Sequence, residues 1–219
     1  MSFHRSPLVC SPGATSEGSD HGHDRALLLR RHRRVRQAIG RGQEHVVSDF
    51  VIRRVHSDDA KAFATLRREM LRSEPLAFGA SPEQDDASHP SIVRERLREE
   101  GTVMLGAFGA DGSLLGSMIL RREPARKSQH KSHVFATFVR PEHRRRGIAA
   151  AMMGEAIRVA RAMRGLEWLL LSVSSAAPHA QRLYESAGFE VWGREPDALR
   201  HEGESADEIH MTLRLVGSS

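Results

Sequence analysis

The sequence predicts a mixed α+β fold, in which helices cover both faces of a central mixed sheet. Two apolar runs flank the turn dipeptide Asp111-Gly112, as they do in a β-hairpin. After residue 133, apolar strand-like runs alternate with amphipathic helix-like runs, which is typical of βαβ crossovers. Hairpins followed by crossovers indicate a sheet with both antiparallel and parallel neighbours.

A strand and a helix open the predicted domain. An apolar run from Phe50 to Val55 indicates the strand. Ser57 stands before two aspartates, and this pattern is typical of a helix start with Ser57 as the N-cap. We expect the helix to end near Leu71, before a loop at 73–90 that contains three prolines and several acids.

The later elements follow from apolar patterning. A helix over 147–164 places its apolar residues on one face, and alternation predicts a last strand near 208–215. The other predicted elements are a helix at 91–100, hairpin strands at 103–108 and 114–121, a buried strand at 133–139, a strand at 167–173, a helix at 177–187 and a short strand at 189–192.

We interpret residues 1–48 as a disordered basic arm and residues 49–219 as the folded domain. The first 24 residues are rich in Ser, Gly, Pro and His, which is typical of disorder. The segment RALLLRRHRRVRQA at 25–38 indicates a short basic helix for an anionic surface or nucleic acid, or else a solvated leader. We favour the leader, because one arginine cluster is a weak signal and only 5% of the residues are aromatic.

The composition argues against several other classes of protein. No apolar run approaches the roughly 20 residues that span a membrane, and the N-terminus has no apolar core long enough for a secretory signal. Cys10 is the only cysteine, which excludes an internal disulfide. Thirteen histidines occur without a spacing such as H-E-x-x-H, so we expect no catalytic metal. Together these observations predict a cytoplasmic protein.

The junction between the strand at 133–139 and the next helix carries a phosphate-binding pattern. A helix N-terminus exposes unpaired N–H groups and a partial positive charge. Gly147 lets the backbone approach a ligand because it has no Cβ, and the three preceding arginines add charge. This constellation suits a pyrophosphate, although it matches neither the P-loop nor the three-glycine dinucleotide pattern.

Two motifs give the chain a resemblance to the GNAT superfamily of acetyl-CoA-dependent N-acetyltransferases. The segment RRRGIA at 144–149 fits R/Q-x-x-G-x-G/A, which cradles the CoA pyrophosphate in that family. The segment VSSAAPHAQRLYESAGF at 173–189 fits A-x-x-L-Y-x-x-x-G-F. One departure is Ala177, where the family often has an asparagine that contacts the CoA arm. The resemblance covers about residues 50–215.

The resemblance implies a three-layer fold around a twisted sheet, and often a homodimer. It also implies transfer of an acetyl group from acetyl-CoA to a primary amine by direct attack in a ternary complex. The acceptor is a small amine, or an amine of a peptide or protein. The residues implied in CoA binding are Phe138, Val139, Arg144, Arg145, Arg146, Gly147, Ile148, Ala149, Ala150, Ala177 and Tyr184.

Two catalytic roles follow from the resemblance. Tyr184, the only tyrosine in the chain, is the implied general acid for the departing thiolate; its alternative role is a packed aromatic at a helix end. The backbone N–H of Val139, with Phe138 beside it, is the implied donor to the thioester oxygen.

His133 is our candidate for the base that deprotonates the amine. Histidine has an unperturbed pKa of about 6.5, which suits this task. Residues 133, 135, 137 and 139 share one face if the strand is regular. Glu74, Glu142 and a water chain are the alternatives, and His133 also fits a solvent-exposed strand end.

We expect the acceptor pocket between the loop at 73–90 and the last strands. Glu74 would bind a cationic amine, and Phe78 would form an apolar wall. The acids of this loop fit solvated positions equally well, and we prefer that interpretation for them. Trp192 and the predicted turn after it offer a second wall.

Two other functions stay open. The chain could be a catalytically silent CoA-binding sensor, which Ala177 favours and the retained Tyr184 argues against. It could also bind nucleic acid through the basic arm, in which case salt would weaken binding steeply.

Overall fold

The computed structural model describes residues 49–215, which form a seven-stranded sheet with four helices. The predicted arm, residues 1–48, and residues 216–219 lie outside the described residues. The strands are β1 (Phe50–Arg54), β2 (Thr102–Gly109), β3 (Leu114–Arg122), β4 (Lys131–Val139), β5 (Trp168–Ser174), β6 (Glu190–His201) and β7 (Glu204–Arg214). The helices are α1 (Ala60–Ser73), α2 (Pro90–Arg96), α3 (Ile148–Ala162) and α4 (Pro178–Ser186).

The strands lie in the order β1-β2-β3-β4-β5-β7-β6, and only β4 and β5 are parallel neighbours. Their ladder is short, since it runs only from the pair Lys131 and Trp168 to the pair His133 and Leu170. Both strands continue well beyond this ladder, β4 to Val139 and β5 to Ser174. The middle of the sheet therefore opens into a wedge-shaped gap.

Each face of the sheet has its own apolar core, which confirms the predicted mixed α+β fold with helices on both faces. We call these the α1 face and the α3 face. The α1-face core joins α1 and α2 to β2, β3 and β4, through residues such as Phe63, Leu66, Met70, Val93, Met104, Ile119 and Phe138. The α3-face core joins α3 and α4 to the middle strands, through residues such as Met152, Met153, Tyr184, Leu105, Met118, Leu169 and Met211. No helix within residues 49–215 is long and apolar enough to cross a membrane.

Strand β4 contains a bulge, so its side chains do not alternate as the sequence predicted. Ser117 pairs with Phe138, whereas Ile119 pairs with Phe135, which leaves one extra residue on β4. Ala136 takes up this residue with a left-handed φ of 53°. As a result Phe135 packs on the α1-face core while Val139 belongs to the α3-face core. The strand is therefore not regular, and residues 133, 135, 137 and 139 do not share the one face that a regular strand would give them.

The start of α1 also differs from the prediction. Ser57 does not cap the helix; it begins a 3-10 turn, Ser57–Asp59, that precedes α1. Asp59 is the N-cap of α1 but makes no side-chain cap bond; its Oδ2 instead accepts the backbone N–H of His56 at 2.8 Å. This is the third-residue half of a capping box, in which the side chain reaches back to the N-cap backbone, rather than the role of a serine N-cap. The pattern therefore located the start of the helical segment but not its capping interaction.

The last two strands are longer than predicted. Strand β6 has 12 residues and β7 has 11, and they meet in a turn at Glu202 and Gly203, both with left-handed φ values. The segment after Trp192 is therefore strand, not the predicted turn. Strand β6 shows little alternation of apolar and polar residues because it is an edge strand with mostly exposed side chains. Its register against β7 also shifts twice, which interrupts any alternation.

A buried ion pair fastens the loop between α1 and α2. Arg67 donates two hydrogen bonds to Asp85, at 2.8 and 3.1 Å, and these side chains are only 14% and 7% exposed. Burial would raise the pKa of Asp85, but the hydrogen bonds and charge of Arg67 outweigh it, so the pKa lies below its usual value. Arg68 adds a hydrogen bond to the carbonyl of Ser88, at 2.7 Å.

Replacing Arg67 by methionine should destabilise the domain strongly at neutral pH. Removing one partner of a buried pair leaves an uncompensated carboxylate, which costs about 3 kcal/mol or more. Because Asp85 has a lowered pKa, the pair stabilises the fold above the unfolded carboxyl pKa and loses this effect as the pH falls through the folded pKa. Urea denaturation at pH 7 and near pH 3.5 should show a difference between wild type and Arg67→Met that shrinks in acid.

The matched control is Arg158→Met. Arg158 pairs with Glu155 on α3, but its side chain is 69% exposed, so we expect a loss within about 0.5 kcal/mol. Equal losses for the two variants would contradict a special anchoring role for Arg67.

Candidate active site

The backbone of Val139 faces the gap between β4 and β5. Arg140 donates its N–H to the carbonyl of Leu115 at 2.9 Å, so these two residues form a hydrogen-bonded antiparallel pair. The adjacent pair, Gly116 and Val139, is then a non-hydrogen-bonded pair, in which backbone groups point away from the partner strand. The N–H of Val139 thus points away from β3, towards the gap.

Phe138 is placed differently from its neighbour. It pairs with Ser117 in the next hydrogen-bonded position, so its N–H points towards β3 rather than towards the gap. Its ring lies in the α1-face core, with the guanidinium of Arg144 5.6 Å from the ring centre. Of the two predicted donors, only Val139 therefore offers an N–H to the gap.

Arg144 links the gap to the end of α1. Its Nε donates to the carbonyl of Val139 at 2.9 Å, and its Nη2 donates to Glu74 Oε1 at 2.7 Å. The sequence predicted Arg144 as a phosphate ligand, but the described contacts direct its guanidinium to a carbonyl and a carboxylate. We call this chain of contacts, Glu74–Arg144–Val139, the strut.

The next two arginines supply charge beside the start of α3. Arg145 has a left-handed φ of 61°, and within residues 49–215 it forms no ion pair. Arg146 pairs with Asp49 at 2.6 Å and also contacts His143 Nδ1 at 3.1 Å. Both arginines are exposed; Asp49 partly offsets the charge of Arg146, whereas the charge of Arg145 is available near the helix N-terminus.

The N-terminus of α3 has the features of an anion site. Gly147 is its N-cap, with a φ of 80°, and no side chain caps the helix. The N–H of Ala151 bonds to the carbonyl of Gly147, so the N–H groups of the three preceding residues have no backbone acceptor among the described residues. A Cβ added at Gly147 would meet no atom within 4 Å, so the approach to these groups is open. Ile148 is buried, and Ala150 is exposed.

Tyr184 lies beneath the gap on the α3 face. It is 6% exposed, and its ring packs edge-on against Phe189 with centroids 6.1 Å apart. Burial raises the pKa of Tyr184, and the nearby hydroxyl of Thr137 opposes this in part. Thr137 precedes Val139 by two residues on β4, so the phenol faces the strand segment that borders the gap. A tyrosine with a raised pKa keeps its proton at neutral pH and can donate it.

Ala177 offers backbone groups only. It is the N-cap of α4, it is 7% exposed, and no side chain caps that helix. Its carbonyl accepts the N–H of Ala180 at 2.9 Å, as in a normal first turn. The side-chain contact expected of an asparagine at this position cannot form, while Ser174 Oγ accepts the N–H of Ala176 nearby, at 3.2 Å.

His133 stands apart from the gap. Its Nε2 lies 2.9 Å from Glu123 Oε1, and its side chain is 42% exposed. Burial lowers the pKa of His133, and the charge of Glu123 opposes this. His133 is in the last pair of the β4–β5 ladder, six residues before Val139. Its role as the base stays a prediction.

A cleft of about 370 Å³ lies between the end of α1 and the turn of the last hairpin. The cleft places Glu74, a predicted acceptor-binding residue, together with residues that the sequence did not single out. The role of Glu74 stays a prediction. Its lining residues are Ser73, Glu74, Pro75, Leu76, Ala77, Ala176, His201, Glu202 and Glu204. Phe78 is not among them, since it packs against the α1-face core. Recognising the β6–β7 hairpin was the only signal that could have located Glu202 and Glu204.

A second cavity of about 520 Å³ lies beside the end of β4. Its lining includes Glu142, the alternative base, and the ion pair of Arg140 with Glu69, at 2.8 Å. The other lining residues are Arg72, Ser73, Phe138 and Pro141.

A polar cluster on β6 and β7 was not predicted. One ligand-type atom from each of Glu195, Glu208 and His210 lies within 4.8 Å of the other two. His210 Nδ1 is 2.9 Å from Ser172 Oγ, and its ring stacks on Trp192 with centroids 5.3 Å apart. Glu195 lies on β6, where polar and apolar residues alternate weakly, and Glu208 and His210 lie on the polar face of β7. The sequence pattern therefore gave no functional signal for these residues.

Comparisons with known proteins agree with this geometry. The sequence profile described as "Acetyltransferase (GNAT) family" matches residues 63–189. A search of curated protein sequences found no match.

Solved structures with a similar fold include a GNAT superfamily phosphinothricin acetyltransferase from Sinorhizobium meliloti in complex with acetyl-CoA. It has a TM-score of 0.68 and 18% identity, over 78% of this chain and 91% of that one. A putative acetyltransferase from Salmonella typhimurium, with its cofactor acetyl-CoA, has a TM-score of 0.67 and 19% identity, over 78% and 97%.

Spermidine N-acetyltransferase from Vibrio cholerae, in complex with CoA and spermine, has a TM-score of 0.63 and 18% identity, over 77% of this chain and 96% of that one. At such identities these structures show a shared fold. Since the family profile covers more than half of the sequence, the chain belongs to the GNAT family of acetyltransferases.

Proposed function

We propose that this protein transfers the acetyl group of acetyl-CoA to a primary amine by direct attack in a ternary complex. The observation that carries the proposal is the gap between β4 and β5, where one backbone N–H, that of Val139, points inward. The phenol of Tyr184 and the N-terminus of α3 border the same gap, so the groups for binding, charge stabilisation and proton donation are together.

The N-terminus of α3 is suited to the CoA pyrophosphate. Free backbone N–H groups and the helix dipole attract phosphate, and the open approach at Gly147 lets it come close. Arg145 and Arg146 add positive charge. The family resemblance and the CoA complexes of similar structures support this assignment.

The remaining residues fit the chemistry of a thioester. Acetyl-CoA supplies an activated carbonyl, whose oxygen gains negative charge when an amine attacks it. The N–H of Val139 is fixed in direction by the β3–β4 ladder, so it can stabilise that charge without reorganisation. Tyr184 holds its proton at neutral pH and can deliver it to the departing thiolate.

The cleft beside Glu74 is suited to the amine. Glu202 and Glu204 face it from the hairpin turn, so an acceptor with a second positive charge should bind better than an anionic one. Glu74 is already engaged by Arg144, so it contributes less free charge. Release of free thiol from acetyl-CoA with spermidine and with phosphinothricin would compare a cationic and an anionic acceptor directly. The absence of thiol release with every amine tested would refute the catalytic proposal in favour of a silent CoA-binding module.

Acetyl-CoA should raise the melting temperature of the wild-type protein. A ligand at 100 times its Kd stabilises the native state by about 2.7 kcal/mol, or roughly 5–11 °C for a domain of this size. Gly147→Asp places a carboxylate where the pyrophosphate would lie, and it should remove most of the shift. Differential scanning fluorimetry with and without acetyl-CoA measures both quantities.

Gly154→Asp is the matched control for this test. Gly154 lies on the same helix, is exposed, and has open space at its Cβ, but it is two turns beyond the N-terminus. Its ligand-induced shift should equal that of the wild type. Similar shifts in Gly147→Asp and Gly154→Asp would place the phosphates elsewhere.

Tyr184→Phe should lower kcat while leaving acetyl-CoA affinity nearly unchanged. The variant keeps the packed ring and loses only the proton donor, and proton transfer by a positioned group contributes roughly 10²–10⁴-fold. Steady-state kinetics by thiol release, with affinity measured by calorimetry, separate the two effects. An unchanged kcat would leave Tyr184 as a core aromatic only.

A further inference from the structure

Glu208 lies level with the gap, one strand away from it. It pairs with Ser174, the last residue of β5, in the β5–β7 ladder. Ser174 follows Leu170 by four residues, and Leu170 pairs with His133. Four residues beyond His133 on β4 is Thr137, or Phe138 if the extra residue of the bulge is counted. Both lie just before Val139. Glu208 is therefore level with the point where the reacting carbonyl would lie, on the strand next to β5.

The side chain of Glu208 points to the α1 face. Its neighbours on β7, Ile209 and Met211, belong to the α3-face core, and adjacent residues of a strand point to opposite faces. The described α1-face core contains no residue of β5, β6 or β7, so α1 and α2 do not bury Glu208. The acceptor cleft opens on this same face, since Glu204 is an even number of residues from Glu208 along β7.

The environment of Glu208 is that of a proton acceptor. It is half-buried, and among the described residues no ion pair or hydrogen bond holds its carboxylate. Burial raises the pKa of Glu208, the charge of Glu195 on β6 raises it further, and His210 on β7 opposes both. The residues that face it from β5, Ser172 and Ser174, do not titrate. A carboxylate with a raised pKa is a stronger base than an ordinary one.

The other candidate bases are placed less well. His133 is about 13 Å back along the strand direction from the level of Glu208, given a rise of about 3.3 Å per residue. Glu74 is held in the strut by Arg144 at 2.7 Å, so its carboxylate is already engaged. Glu142 lines the other cavity, beyond the end of β4.

We propose that Glu208 is the general base that accepts the proton of the attacking amine. In this step the amine nitrogen forms a bond to the thioester carbonyl carbon, and its proton passes to the carboxylate of Glu208. The carbon–sulfur bond then breaks, and the thiolate takes the proton of Tyr184. The base acts from the α1 face and the acid from the α3 face, on opposite sides of the gap. This inference rests on the proposed function.

Glu208→Gln should lower kcat with spermidine by about 10²-fold or more, which is the range for loss of a positioned base. In the wild type, kcat should rise with pH through the pKa of Glu208, because only the ionised carboxylate accepts a proton. That rise should disappear in Glu208→Gln, while the affinity for acetyl-CoA stays the same. The measurement is kcat against pH by thiol release, at saturating concentrations of both substrates.

Two further variants sharpen the test. Glu190→Gln removes an exposed glutamate on the neighbouring strand β6, and it should keep the wild-type pH profile. His133→Gln separates the competing assignments. If His133→Gln removes the rise of kcat with pH and Glu208→Gln does not, His133 is the base and the proposal is overturned.

A cation held by the cluster is the remaining competitor. Loss of wild-type activity after treatment with EDTA, restored by a divalent cation, would overturn the proton-acceptor role. If the wild type turns over normally and Glu208→Gln has the same kcat and pH profile, the base role of Glu208 is overturned but the proposed acetyl transfer is not. A wild-type protein that binds acetyl-CoA but releases no thiol with spermidine or any other amine would overturn the proposed transfer as well.

Discussion

The structure depends on one constraint: β4 and β5 begin as parallel neighbours and then separate. Their ladder ends after three residue pairs, which frees the backbone groups on the facing edges of both strands. Unpaired backbone groups inside a sheet are costly, so a fold retains them only where something else compensates. Here the bulge at Ala136, the antiparallel ladder to β3 and the contact of Arg144 with the carbonyl of Val139 fix the freed edge.

The two faces of the sheet divide the work around this gap. In the proposed reaction, the helix dipole, the exposed arginines and the phenol on the α3 face bind the anionic thioester and serve its leaving group. In the same proposal, a cleft with exposed carboxylates and the half-buried Glu208 on the α1 face receive a cation that must lose a proton. The opposite polarity of the two sides gives each substrate its own direction of approach.

The sequence singled out the candidate residues on the α3 face, whereas most candidates on the α1 face emerged only from the structure. Gly147 and Tyr184 lie within local motifs, where spacing along one helix decides their positions, so patterning was sufficient to nominate them as candidates. Glu202, Glu204 and Glu208 depend on a hairpin with two register shifts, and on which strand lies beside β5. Such long-range pairing leaves no local signal. His133 was chosen on the assumption of a regular strand, and one extra residue at Ala136 was enough to change the faces after it.

The strut has a consequence for how the protein can change its acceptor. Glu74 belongs to the wall of the amine cleft, yet through Arg144 it also fixes the carbonyl of the peptide that borders the reacting centre. If the cleft binds the amine as proposed, a substitution at Glu74 should alter recognition and rate together, whereas Glu202 and Glu204 line the cleft from outside the strut. Substitutions that change the amine specificity should therefore accumulate in the hairpin turn. Glu74, at the end of α1, should vary less because it also holds Arg144.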